Sequence, residues 1–118
     1  MALNLVNVAT ITGKTGILLN PTSILVFAGT SITPGANQLI RLNSVYVCNT
    51  TSGNLTANLF INRSSADHAL ASSLACAANT TTVIVIKDSP IYLEEGDTLK
   101  ASGNLTGLSF TASYDLLA

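Results

Sequence analysis

The sequence predicts an all-β fold, an antiparallel β-sandwich of about eight strands forming one domain over residues 1–118. Three observations carry this. Apolar residues recur with period two along most of the chain and with period 3.6 almost nowhere, as in strands whose side chains alternate between two faces. Ser, Thr and Asn make up about a third of the residues; their side chains compete for backbone hydrogen bonds in helix interiors, and Thr is β-branched. Turn-forming clusters separate short runs every ten or so residues, without the strand–helix alternation of a parallel sheet. The length suits one hydrophobic core and not two. Jelly-roll and immunoglobulin-like arrangements both satisfy this pattern.

The elements follow in order. Residues 1–8, MALNLVNV, read as an extended N-terminal arm. LVNVATIT, residues 5–12, alternates as a strand, and ITGKTG, residues 11–16, reads as a turn. SILVFAG, residues 23–29, is a strand, and Pro34-Gly35 a turn. LIRLNSVYVCN, residues 39–49, is one long strand or two with a bend near Asn43. After the TTSGN turn, LTANLFINR places Leu55, Ala57, Leu59 and Ile61 on one face and Thr56, Asn58 and Asn62 on the other. Residues 64–79 combine a loop at 64–67 with a strand carrying Leu70, Ser72, Leu74 and Cys76 at period two. TTTVIVIKD, residues 80–88, is a β-branched run expected to be buried on both faces. Glu94-Glu95-Gly96-Asp97 forms a charged hairpin corner, and a last strand alternates Leu108, Phe110, Ala112 and Tyr114. SGNLT occurs at residues 52–56 and 102–106, which predicts similar corners in the two halves. Phe27, Phe60 and Phe110 are assigned to the core, and Tyr46, Tyr92 and Tyr114 to the sheet margins.

Charge narrows the function classes. Only 9% of residues are charged, and the net charge is −1, against a typical charged share of about 25%. A surface with so few charges is cheap to desolvate, which suits a chain embedded in an assembly, the alternative being an exported, Thr-rich β-protein that stays monomeric. Lys14, Arg41, Arg63, Lys87 and Lys100 are scattered along the sequence and give no basic patch for nucleic acid. No apolar run approaches the ~18 residues of a spanning helix. The N-terminus lacks the basic-then-apolar order of a secretory signal, so synthesis and assembly in a host cytoplasm are expected.

No catalytic, cofactor-binding or metal-ligating residue is assigned, and no cofactor is expected. Glu94 and Glu95 are adjacent and point to opposite sides of an extended chain, whereas acid–base carboxylates must converge. Asp97 beside them leaves too few oxygens for calcium. Gly13-Lys14-Thr15 lacks the preceding glycine of a phosphate loop, since that position is Val8. His68 is the single histidine and reads as a surface group. Cys48 and Cys76 are too few for a disulfide framework and read as buried small apolar residues, with a single bridge between them left open by the sequence. The sequons at Asn49, Asn54, Asn62, Asn79 and Asn104 follow from the abundance of Asn, Ser and Thr. Too few aromatics are present to build a carbohydrate platform.

TTTVIVIKDSPIYLEEGDTLKASGNLTGLSFTASYDLL, residues 80–117, resembles the C-terminal half of small virion structural proteins of tailed phages, cyanophages in particular. The stretch at residues 39–61 and the N-terminal VATITGKTGILL are similar to the same family. The resemblance covers most of the chain and carries no catalytic signature. It implies a non-enzymatic β-sandwich of the phage particle and leaves its location on the particle open. The foremost expectation is a capsid decoration or cement protein bound between major capsid protein subunits, self-associating as a trimer because closed symmetry saturates such patches. A neck, tail or fibre-associated module is the alternative, and a host-glycan-binding module a more distant one. Fewer acidic residues than the family pattern and the Ala-rich residues 68–79 set this chain apart.

Overall fold

The computed structural model describes residues 8–27, 32–86 and 88–118. The expected arm at residues 1–8 lies outside them except for Val8. Among the described residues nine strands form: β1 (Ile11–Leu19), β2 (Leu25–Val26), β3 (Leu39–Asn49), β4 (Leu55–Arg63), β5 (Ala66–Cys76), β6 (Thr81–Val85), β7 (Ile91–Leu93), β8 (Thr98–Gly103) and β9 (Leu108–Leu117). Sheet A has the order β1-β9-β3-β6, with β7 also on β3, and sheet B the order β2-β8-β4-β5.

Among the described consecutive strands only β4 and β5 pair with each other. The remaining pairs nest around them: β3 with β6 and β7, β2 with β8, β1 with β9, all antiparallel. The chain is thus one long antiparallel ribbon folded at the β4–β5 turn. Winding it brings β9 beside β3 and β8 beside β4. That winding is a jelly roll, with β6 and β7 as two pieces of one strand position. The sandwich prediction holds, and the topology decides for the jelly roll.

The core lies between the sheets. Leu42, Val45, Val47, Phe110 and Ala112 of sheet A face Ala57, Leu59, Leu99 and Ala101 of sheet B, all fully buried. The strict alternation of β4 and β9 predicted these faces. The two-residue β4–β5 turn holds Ser64 and Ser65 at φ 54° and 63°, the left-handed pair that matches the twist of a tight hairpin. It shortens the expected loop, and Asp67 falls within β5.

Several expectations are corrected. ITGKTG is not a turn: it lies within β1, paired residue for residue with β9. Gly16 is a packing glycine there, since a Cβ would stand 3.0 Å from Ile32 Cδ1. β6 is not buried on both faces; it is an edge strand, with Val83 exposed. The bend near Asn43 is a bulge within a single β3, where the register to β9 shifts between Leu42 and Ser44. In β5 the period-two set is broken by register shifts against β4, so Cys76 is buried and Leu70 exposed. The 94–97 corner is not a hairpin within one sheet, because β7 belongs to sheet A and β8 to sheet B. Phe60 is half-buried, opposite Ala69 and Lys100, whereas Tyr114 is a core residue. Cys48 is half-buried and Cys76 buried, both as free thiols.

Candidate interaction surfaces

The two ends of the sandwich are chemically different. At one end stand the 94–97 corner and the 64–65 turn. Arg63, the last residue of β4, reaches across the sheets to Asp97, donating from Nε at 2.8 Å and from Nη2. It also donates to Glu94 Oε2 at 2.9 Å. Asp97 is buried and closes its own turn by accepting from the Glu94 N–H at 2.8 Å. The Arg63 guanidinium, joined by that N–H, holds the Asp97 carboxyl below the usual carboxylate range, and Arg63 is raised in turn. Both Asp97 oxygens are therefore committed to holding β4 against the inter-sheet corner. On sheet A, Asp115 accepts from Arg41 at 2.7 Å and from Asn43 at 3.1 Å. Glu94 and Asp97, which the sequence reading placed in a turn, act as structural clamps, as does Asp115 of β9.

The opposite end gathers the loops at residues 20–24, 50–54, 77–80 and 104–107. None carries a charged residue. Side-chain amides knit them together. Asn49 is fully buried; its Nδ2 donates to the Gly53 and Cys76 carbonyls at 2.8 and 2.9 Å, and its Oδ1 accepts from the Thr51 N–H and hydroxyl at 2.9 and 2.7 Å. Asn20 Oδ1 accepts from Gly107 N, Asn54 Oδ1 from Ala78 N, and Asn104 Oδ1 from Thr56 N. The two SGNLT copies do not make equivalent corners: Asn104 of the second bonds the backbone of Thr56 in the first. Gly107 (φ 117°) sits so close to Thr51 that a Cβ would stand 2.2 Å from Thr51 Cγ2. The sequence marked Asn49, Asn54 and Asn104 as sequons, and Asn54 and Asn104 also as corner residues, but gave none of the four a cross-loop role. Their cross-loop role has no local signature, because the partners in other loops lie 24 to 87 residues away in the chain.

Strand pairing also segregates the charges. Lys14, Arg41 and Asp115 pair at the Leu39 half of β3, and Asp67 and Lys100 at the Arg63 half of β4. With the 94–97 corner, and with Asp88 in the β6–β7 break level with the middle of β3, this leaves the amide-knit end without an ionised side chain among the described residues.

The outer face of sheet A extends the uncharged surface. Pairing sets Ile17, Thr111, Tyr46 and Val83 in one row across four strands. Ile17, Leu19, Tyr46, Val83 and Ile86 are exposed, with Ile17 at 50% and Leu19 at 63%. Where the chain leaves the sheet between β6 and β7, a shallow depression of about 400 Å³ is lined by Asn43, Ser44, Tyr46, Val83, Ile86 and Ser113. A second, of about 240 Å³, lies beside Ile61, Arg63 and His68. His68 is exposed, as expected. No three His, Cys, Asp or Glu side chains converge as metal ligands among the described residues. No protein-family model matches the chain, and no curated protein matches it.

Proposed function

We propose that this chain is a non-enzymatic structural protein of a phage particle, foremost a capsid decoration protein bound between major capsid protein subunits. The observation that carries the reading is the segregation of charge, which leaves one end of a jelly roll uncharged and cross-braced by amides. Burying that end desolvates no ion. Its loops are already ordered by hydrogen bonds to one another, so little conformational entropy is lost on docking. Contacts on the scale of ~1,000 Å² per site, repeated over a shell, add up through multivalency. The charged half then faces water.

The test is quantitative mass spectrometry of purified particles, with a copy number near that of the capsid subunit as the expected result. A few copies per particle would move the chain to the neck, tail or a fibre; absence from particles would end the reading. Leu105, 59% exposed at the uncharged end, localises the contact. Leu105→Glu should abolish binding to undecorated shells while leaving the circular-dichroism spectrum unchanged.

A further inference from the structure

A sheet edge offers unpaired backbone groups to any compatible strand, and proteins usually blunt such edges. Among the described residues, three of the four sheet edges are blunted. β2 is two residues long. β6 is short and is followed by a break containing Asp88 and Pro90. β5 carries Asp67 and His68 and is offset by register shifts. β1 is different: nine residues, no register shift against β9, and a single charge at Lys14.

The direction of its free groups follows from the hydrogen bonds at its two ends. Thr10 and Ala118 exchange both backbone bonds, at 2.9 and 3.0 Å, and Asn20 N donates to the Leu108 carbonyl. Narrow pairs recur at every second residue of an antiparallel ladder. Even-numbered residues of β1 therefore bond β9. Ile11, Gly13, Thr15, Ile17 and Leu19 present their N–H and C=O groups to the open edge.

We propose that this edge pairs with β1 of a second copy of the chain about a twofold axis at Thr15, joining two A sheets into one. Sequence and geometry select this register. Antiparallel pairing about Thr15 sets odd residues opposite odd residues, as the outward backbone groups require, and it uses the whole strand. Ile11 then lies beside the second copy's Leu19, giving both of these exposed side chains (63% each) an apolar neighbour. Ile17 lies over the second copy's Gly13, whose missing side chain makes room for it. Lys14 faces a glycine, Gly16. A shift of the axis by one residue would set Lys14 against Lys14, which like-charge repulsion disfavours. The occupant is a second copy because the strand is complementary to itself in shape and charge. The inference is independent of the virion reading and gives a twofold contact where that reading alone suggests a trimer.

The test is sedimentation velocity of the full chain over a concentration series. Main-chain pairing over one strand, with few buried side chains, predicts a concentration-dependent dimer with Kd on the order of 1–100 µM. Thr15→Pro removes one outward N–H, a change edge strands tolerate, and should make the chain monomeric with an unchanged circular-dichroism spectrum. Should that variant fail to fold, Ile17→Lys, at an exposed position, should abolish dimerisation in the same way. Thr15→Cys should cross-link into a disulfide dimer on oxidation. A wild-type chain that is monomeric well above that range, or trimeric, overturns the proposal. So does a dimer that survives Thr15→Pro and Ile17→Lys, or one lost on deleting residues 1–7 and insensitive to both substitutions.

Discussion

The amide-knit end and the ion-paired end solve the same problem with different chemistry. Each must tie loops from the two sheets together, because in a jelly roll nearly every connection crosses between sheets. One end uses Asn20, Asn49, Asn54 and Asn104, whose amides donate and accept without charge. The other uses Arg63 on Asp97 and Glu94. A neutral clamp can be buried in an interface at little cost, whereas an ionic clamp is best left in water, where desolvation does not oppose it. The difference shows which end is fit to be covered.

Substitutions at the two ends sharpen that contrast. Asn49→Ala should cost the most, about 3 kcal/mol, because it leaves buried carbonyl and N–H partners unsatisfied. Urea unfolding measures it, and a loss below ~1 kcal/mol would show that the amide clamp is dispensable. Gly107→Ala should follow at ~2 kcal/mol, from its left-handed backbone and the collision with Thr51. An unchanged urea midpoint would refute that placement.

Asp97→Asn should cost less than either, since Arg63 is half exposed and its pairing is screened. Its signature is pH dependence. Asp97 has a lowered folded pKa, so its contribution is complete above the unfolded value of about 3.9 and is lost as pH falls through the folded value. Wild type should therefore lose its margin over Asp97→Asn below about pH 4. A margin independent of pH would show that the ion pair does not stabilise the corner. Smallest of all, Ser65→Gly should raise stability by about 0.5 kcal/mol by relieving a left-handed serine; a loss would mean the serine side chain has a role in the turn.

How far the fold was legible differs by element. In β4 and β9 alternation marked both the strand and its buried face, because one face of each meets the core and the other does not. In β6 the same logic misled: an apolar run on both parities looks central but also occurs at an edge. Val83 and Ile86 are exposed there, part of an uncharged outer surface. In β1 the glycines at 13 and 16 read as turn residues, because nothing local reports that β9 will hold them extended. The clamps were invisible for the same reason, since Arg63 and Asp97 lie 34 residues apart and Arg41 and Asp115 lie 74 apart.

The sequence by itself determined the all-β class, the strand faces wherever one side is buried, and the scarcity of charge, because periodicity and composition are local properties of the chain. Tertiary structure alone decided the jelly-roll winding, which strands became edges, and the placing of the described charges away from the amide-knit end. Those are properties of strand order, and strand order is set by contacts between residues that the chain keeps far apart.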